Sequence, residues 1–235
     1  MSTTAPLAER ASEITVAPGT IVLFSDLLCP FAHVAIHRFA AARTRAGLDG
    51  QVHLDHHAFP LELFNGPHPR PGTDTEAVGL GQIEPAAGFR VWTAPDWAYP
   101  NTVLLAHEAV HAAKAQSLDA SERLDRALRR AFWLDNRSIS HRAVIVEVAR
   151  ELGIDADAIA DALDDGSRRR AVTADYQQAQ SDAVAGSPHF FFADGTDSHN
   201  PGISVRWEGP WASGYPIVDN DEPGVWDELI LRSAT

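Results

Sequence analysis

The chain has 235 residues, 45% of them hydrophobic and 22% charged, a composition typical of a soluble globular protein with one large domain or one domain carrying an insertion. Its formal net charge of −13 argues against a nucleic acid or an anionic membrane as the main partner, because both require a basic surface. Residues 1–19 hold no apolar signal segment and no stretch is long enough to span a membrane, so we expect a cytoplasmic protein.

The first predicted element is a buried strand. Residues 20–24 read Thr-Ile-Val-Leu-Phe, an apolar run rich in β-branched side chains. Cys29 and Pro30 follow shortly afterwards, and residues 32–46 are good helix formers, with the proline suited to a first helical turn. A second strand is predicted over residues 51–59. The cysteine therefore lies where a strand turns into a helix.

The middle of the chain changes in character. Residues 63–100 are rich in proline and glycine and predict a long irregular segment that could cover a site. Within it, Trp92, Trp97 and Tyr99 are expected either to line a hydrophobic groove or to lie in the core. Residues 101–184 predict five helices, whose N-terminal caps we assign to Asn101, to Asp119 with Glu122, to Ser140, to Asp155 and to Ser167.

The C-terminal part returns to strands. Residues 189–192 and 203–207 predict two strands, and residues 223–233 predict a closing helix. Two α/β fragments would thus flank an all-helical insertion. We expect one domain formed by residues 14–62 and 184–235, with residues 63–183 as the inserted helical domain and its Pro/Gly-rich lead-in.

Cys29 is the only cysteine, so no internal disulfide can form. A lone cysteine is either buried filler or a reactive group, and a helix N-terminus favours the second because it lowers the thiol pKa. His33 follows four residues later, and a protonated imidazole on the same helix face would favour the thiolate; the alternative is an ordinary half-exposed residue. Asp26 is expected either to cap the helix or to relay protons.

These residues carry a resemblance to a known family. The segment FSDLLCPFAHVAIHRF after a strand, with GSPHFFF much later, resembles the DsbA-like (FrnE-type) branch of the thioredoxin superfamily. The resemblance implies an α/β, thioredoxin-like fold with an inserted all-helical domain. It also implies that Pro188 is a cis-proline that faces Cys29, and that Ser187 offers its backbone to an extended substrate or a thiol.

The departure from the family pattern is Ala32. Related oxidoreductases usually carry a second cysteine there, which resolves the mixed disulfide. Without it, an outside thiol must release whatever binds to Cys29. We therefore expect a thiol-disulfide oxidoreductase with a monothiol mechanism, no tightly bound cofactor, and a small-molecule thiol such as glutathione or mycothiol as cosubstrate; a homodimer is compatible with the sequence. The expected catalytic residues are Cys29 and His33, and the expected substrate-binding residues are Pro30, Phe31, Ala32, Ser187 and Pro188.

Two other classes of function stay open. The chain also resembles the kappa-class glutathione transferases and 2-hydroxychromene-2-carboxylate isomerases, which use one serine or cysteine in this place to hold or activate a thiol cofactor. A single sulfur suits these enzymes as well. The third class is a non-catalytic binding module, in which Cys29 would have ordinary reactivity.

Histidines supply two further patterns. His107 and His111 with Glu108 match H-E-x-x-H, a zinc-protease motif that needs a third ligand, for which His141 or Glu147 is available. We favour a helix surface or, as an alternative, a contribution to the pocket above Cys29, and we expect no metal. The second group comprises His53, His56 and His57. Metal binding is possible there, but we favour ordinary positions on the surface of a strand.

Overall fold

The computed structural model describes residues 14–210 and 213–233, and the main sheet of this part has the strand order β2-β1-β3-β4. β2 is parallel to β1, while β3 and β4 are antiparallel to their neighbours. The strands are β1 (Thr20–Ser25), β2 (His53–Ala58), β3 (His189–Phe191) and β4 (Asp197–His199). The strands predicted over residues 20–24, 51–59 and 189–192 are confirmed, whereas β4 was not expected.

The composition of β1 explains its central position. Ile21 and Leu23 pack into the core on one face of the sheet, and Val22 and Phe24 pack into the core on the other face. Since alternate side chains of a strand point to opposite faces, only a continuous apolar run can occupy a strand that is covered on both sides. The same strand ends at the turn that carries Cys29.

Two helices cover the first face of the sheet. They are α1 (Pro30–Arg45) and α9 (Val225–Ser233), and both were predicted. Phe39 of α1 meets Trp226 of α9 at 6.3 Å between ring centroids, and Trp226 also packs on Phe190 at 5.0 Å. α1 is therefore anchored to the sheet by aromatic packing, which fixes where its N-terminus points.

Four consecutive helices form a second core. They pack around buried residues such as Leu124, Leu128 and Phe132, and Leu27 and Leu28 of the β1–α1 turn join this cluster. The turn that bears Cys29 thus lies where the sheet meets the helical part, and the division into two domains at residues 63 and 183 stays a prediction. The helices are α4 (Leu104–Lys114), α5 (Leu118–Trp133), α6 (Arg142–Glu151) and α7 (Ala156–Asp165). The next helix, α8 (Arg169–Ala179), contacts α4 and β2 and contributes Ala179 to the core on the second face of the sheet.

The prediction of an irregular segment over residues 63–100 is wrong in its first half. α2 (Leu61–Asn65) and α3 (Arg70–Ile83) lie there, followed by short 3-10 turns. A proline stands in the first turn of α3, where its missing N–H costs nothing. A Cβ atom at Gly79 would make an ordinary van der Waals contact with Pro216 at 3.5 Å, so this face of α3 packs directly against a distant part of the chain. Tertiary packing therefore stabilises a helix whose composition does not favour one.

Only one of the five predicted helix caps is confirmed. The Asp155 carboxylate accepts the N–H of Ala158, and α7 ends at Gly166 with left-handed backbone, as predicted. The other four assigned caps are wrong because other residues occupy the cap positions of those helices, and Glu122 instead forms a buried ion pair with Arg43 at 2.6 Å. The residues that directly precede these four helices are Val103, Ser117, His141 and Arg168.

The last strands form a separate sheet. β5 (Ile203–Glu208), predicted over residues 203–207, pairs antiparallel with β6 (Tyr215–Asp221), which was not expected. This hairpin packs against α3 and covers the mouth of the region around Cys29. No helix among the described residues combines the length and the apolar character that a membrane crossing needs.

Candidate active site

The cysteine occupies the junction that the sequence predicts. Cys29 is the residue before the first turn of α1, with extended backbone angles (φ −77°, ψ 115°), and Pro30 begins the helix. Its N–H donates to the carbonyl oxygen of Asp26 at 3.2 Å, which closes the turn after β1. The side chain is 3% exposed, so the sulfur lies just beneath the surface of a cavity.

Asp26 holds this turn together from inside. It is completely buried, and its carboxylate accepts the N–H groups of Leu28 at 2.6 Å and of Leu61 at 2.8 Å. Burial opposes its charge, but the rings of His68 and His107, at 3.6 and 3.8 Å, keep its pKa well below the usual range. Asp26 therefore ties the turn to the start of α2 rather than capping α1.

Tertiary structure brings Ser187 and Pro188 to the cysteine. The peptide bond between them is cis. The carbonyl oxygen of Ser187 accepts a hydrogen bond from the Cys29 thiol at 3.2 Å, and its hydroxyl accepts the N–H of Asp26 at 2.9 Å. Residues that are separated by almost the whole helical block thus share one hydrogen-bonded site.

The expectation of a lowered thiol pKa is wrong for this structure. Burial raises the pKa of Cys29 to about 11, and the Glu76 and Asp26 carboxylates act in the same direction. Hydrogen bonding with Ser187 and with the backbone of Ala32 opposes this effect only in part. The helix N-terminus is in place, but the loss of water around the sulfur outweighs it. The resting state is therefore a protonated thiol.

Cys29 opens into a cavity of about 230 Å³. Of the predicted substrate-binding residues, Pro30, Phe31 and Ser187 line it. Ala32 and Pro188 are buried beside it and do not line it. The cavity is closed on the other sides by the start of α2, by α3 with the segment before it, and by β5.

Sequence reasoning missed the far walls of this cavity. His68 and Glu76 lie in the segment predicted to be irregular, and Val205 and Trp207 belong to β5. Burial raises the pKa of Glu76 to about 7, with His68 opposing. The pKa of His68 is raised because Asp26 outweighs the effect of burial. No local pattern marks these residues; the segment as a whole was expected to cover a site, which agrees with its position.

His33 does not face the cysteine, and its predicted role is wrong. Its ring nitrogen Nε2 lies 2.9 Å from the carbonyl oxygen of Ala87, and its ring packs against Phe89 and Trp133. Burial lowers the pKa of His33 to about 4, so the ring is neutral when a thiol reacts. It lines a second cavity of about 450 Å³ between α1 and α5, and Cys29 does not line this cavity.

The H-E-x-x-H segment is neither a surface nor a pocket wall for Cys29. His107 and Glu108 are buried, and Glu108 pairs with Arg169 at 3.1 Å. His111 lies 2.6 Å from a carboxylate oxygen of Asp175. The three motif residues therefore stabilise contacts of α4 with its neighbours, and no group of metal-binding side chains is found among the described residues.

The β2 histidines are also only partly at the surface. His56 is 3% exposed and lies 3.5 Å from Asp125, while His57 pairs with Asp175 at 2.7 Å. His53 is half-buried at the start of the strand. A strand-surface position is thus wrong for His56, because α5 packs over that side of β2.

The aromatic residues of the middle segment divide between core and surface. Trp92 stacks on Phe132 with ring centroids 5.6 Å apart and meets Tyr99 at 5.5 Å, so these two belong to the helical core. Trp97 is 83% exposed. None of the three lines the cavity beside Cys29.

Solved structures share this architecture. The probable DsbA oxidoreductase from Streptomyces coelicolor has a TM-score of 0.65 at 20% identity, over 91% of this chain and 89% of that one. The cytosolic disulfide reductase DsbM from Pseudomonas aeruginosa, solved with GSH, has a TM-score of 0.58 at 17% identity, over 90% and 97%. A 2-hydroxychromene-2-carboxylate isomerase has a TM-score of 0.53 at 15% identity, over 76% and 87%.

The sequence itself agrees with this likeness, although no curated protein matches the chain. The family model for the DSBA-like thioredoxin domain matches residues 20–206, from the first residue of β1 to the middle of β5. This range includes the cysteine turn, the helical insertion and the Ser187–Pro188 pair. The α/β fold with inserted helices is confirmed, and the chain belongs to the DSBA-like thioredoxin domain family.

Proposed function

We propose that the protein is a thiol-disulfide exchange enzyme that acts through Cys29 alone, with a small-molecule thiol as cosubstrate, in the cytoplasm. The observation that carries the proposal is the hydrogen bond between the Cys29 thiol and the Ser187 carbonyl at the base of a ligand-sized cavity. This carbonyl belongs to the residue before a cis-proline, and Cys29 is the only cysteine in the sequence.

The chemistry is a two-step exchange. The Cys29 thiol loses its proton to solvent, and the thiolate attacks one sulfur of a disulfide RS–SR. A Cys29–S–SR bond forms, the RS–SR bond breaks, and RS⁻ leaves. A second small thiolate then attacks the mixed disulfide at the R sulfur, which restores Cys29 and gives a new disulfide. Because position 32 is alanine, the second step needs an external thiol.

Mass spectrometry of the intact protein tests this proposal. After exposure to hydroxyethyl disulfide, the wild-type protein should gain one adduct on Cys29, which persists until a thiol is added. Ala32→Cys should behave differently, because the new thiol can displace the adduct and leave an internal disulfide. Cys29→Ser is the control and should gain no mass. A wild-type protein that never forms the adduct under conditions that modify unfolded protein would overturn the proposal.

One observation favours a second candidate, a thiol-dependent transferase or isomerase. The raised pKa of Cys29, about 11, leaves a protonated thiol that could donate a hydrogen bond to the thiolate of a bound cosubstrate. The fold is shared with a 2-hydroxychromene-2-carboxylate isomerase. The two candidates differ in the effect of Cys29→Ser: the hydroxyl keeps a donor for a transferase, whereas it abolishes disulfide exchange.

A further inference from the structure

The cavity beside Cys29 contains an acidic side chain without a partner of its own. Glu76 of α3 lines the same cavity as the thiol, and its carboxylate has no hydrogen bond or ion pair within the part of the chain that the structure describes. Glu76 is half-buried, and polar groups that are withdrawn from water are nearly always bonded to protein or solvent. A ligand in this cavity would therefore meet a carboxylate whose bonding capacity is unused.

The remaining charges give the cavity an acidic character. Among its described lining residues, His68 is the one other charged group, and none is lysine or arginine. His68 is matched by the fully buried Asp26 directly behind it, at 3.6 Å. Sites that bind carboxylates or phosphates normally present arginine or lysine to them. Here, a carboxylate on the ligand would face Glu76 with no compensating cation.

Most of the other walls are apolar. The lining also includes polar Asn65, Thr73 and Ser187, but large apolar side chains and prolines form most of the surface, so a compact ligand can bury its body there. The volume of about 230 Å³ suits a small thiol rather than an extended peptide. The apolar side chains are those of Leu28, Pro30, Phe31, Leu61, Pro67, Pro69, Val205 and Trp207.

From this juxtaposition we infer that the cavity selects small thiols and disulfides that carry no negative charge, and that Glu76 sets this preference. The inference rests on the proposed exchange function of Cys29. Of the two candidate cosubstrates, glutathione carries two carboxylates and one ammonium group, whereas mycothiol carries no carboxylate and no ammonium group. An uncharged or cationic thiol is therefore the expected cosubstrate.

A cationic ligand would also assist the reaction. The Glu76 carboxylate contributes to the raised pKa of Cys29. An ammonium group paired with Glu76 cancels this effect, so the thiolate becomes easier to form in the complex than in the empty protein. Recognition and activation of the sulfur thus depend on the same carboxylate.

Charged thiol reagents of similar size test the inference. The three probes are the methyl, 2-aminoethyl and 2-sulfonatoethyl methanethiosulfonates. In each case the Cys29 thiolate attacks the sulfenyl sulfur, a disulfide forms and methanesulfinate leaves. Rate constants are measured by intact mass at about pH 8, where Glu76 is ionised, and divided by those of free cysteine. We expect the 2-aminoethyl reagent to react about tenfold faster than the 2-sulfonatoethyl reagent.

Substitution of Glu76 tests whether its carboxylate causes the preference for the cationic reagent. Glu76→Gln should reduce the ratio to about twofold, while Glu151→Gln, which removes the same charge outside the cavity, should leave it unchanged. High salt should shrink the wild-type ratio, a measurement that does not depend on how the variant folds. A ratio near one, or one that survives Glu76→Gln, overturns the inference while the exchange function stands. Failure of all three reagents to modify Cys29 refutes the exchange function instead.

Discussion

Two cavities are bordered by different residues of α1, and they differ in size, charge and chemistry. The cavity of Cys29 measures about 230 Å³ and is lined by Glu76 and His68 without lysine or arginine among its described residues. The groove between α1 and α5 measures about 450 Å³ and is basic, although the whole chain carries a net charge of −13. Its basic character comes from four arginines, and two histidines complete this part of the lining: Arg123, Arg126, Arg129, Arg130, His33 and His37.

The four-residue spacing between Cys29 and His33 does not bring the two side chains into one cavity. Residues four apart share a face only when both have helical backbone angles. Cys29 has an extended conformation ahead of the first turn, so its side chain leaves the helix in a different direction from that of His33. The larger cavity is therefore not the one that holds the thiol.

The largest effect on stability is expected from a substitution between the groove and the turn that carries Cys29. Arg129 lines the groove, donates to Asp125 at 2.7 Å, and donates to the carbonyl oxygen of Asp26 behind the thiol cavity at 2.7 Å. It is 1% exposed. Arg129→Met leaves the Asp125 carboxylate buried without its cation and should lower the free energy of unfolding by about 3–5 kcal/mol.

Urea denaturation measures this effect. The matched control is Arg130→Met on the same helix, which removes an exposed arginine and should change the stability by less than about 0.5 kcal/mol. Equal changes in the free energy of unfolding for the two substitutions would show that the buried pair of Arg129 and Asp125 does not stabilise the protein.

His33 should contribute to the loss of stability at acidic pH, whereas the thiol titrates only at alkaline pH. Its pKa falls from 6.5 to about 4 on folding, so the neutral ring is stabilised. This contribution is complete above pH 6.5 and is lost as the pH falls towards 4, where the unfolded chain binds the proton first. The wild-type protein should lose about 3 kcal/mol through this group over that interval.

His33→Gln isolates the effect, because glutamine does not titrate and can still donate to the Ala87 carbonyl. The variant should show a shallower loss of stability between pH 6.5 and about 4 in urea titrations. The rate of Cys29 modification by the neutral methyl reagent should stay within about twofold of wild type, since His33 is neutral and faces the other cavity. A change larger than twofold would show that His33 does influence the reactivity of Cys29.

Transfer of the thiol from one cavity to the other should reverse its charge preference. In the double variant Cys29→Ser with His33→Cys, the sulfur lies in the groove with the arginines of α5. The 2-sulfonatoethyl reagent should then react about tenfold faster than the 2-aminoethyl reagent, the opposite of wild type. Intact-mass kinetics measure both rates, and Cys29→Ser alone should show no adduct. A preference for the cation in the double variant would contradict the assigned charges.

The smallest effect is expected from the exposed rim of the groove. Arg126→Gln removes one positive charge that faces His37 and does not line the thiol cavity. Modification of Cys29 by each of the three reagents should change by less than about twofold, because solvent screens a charge across the helix. Alkylation kinetics of the pure variant provide the measurement, and a larger change would mean that the two cavities communicate through α1.

Much of the framework follows from local sequence. The apolar run of β1, the cysteine and proline after it, and the cap at Asp155 with its terminating Gly166 all specify local conformations that the structure contains. The family resemblance rests on the same segments, because they are short and their side chains act on neighbouring backbone. These features predict the fold and the position of Cys29 before the first turn of α1.

The environment of Cys29 was decided only by tertiary structure. Ser187, Glu76 and Trp207 reach Cys29 from distant parts of the chain. Burial by the packed elements, together with the Glu76 carboxylate, raises the thiol pKa that the helix N-terminus alone would lower, and the hydrogen bond with Ser187 opposes this effect only in part. α3 forms in a proline- and glycine-rich segment because β6 and its surroundings support it. Local propensity governs backbone choices over a few residues, whereas burial and charge at a site are sums over all elements packed around it. That sum cannot be read from any single stretch of sequence.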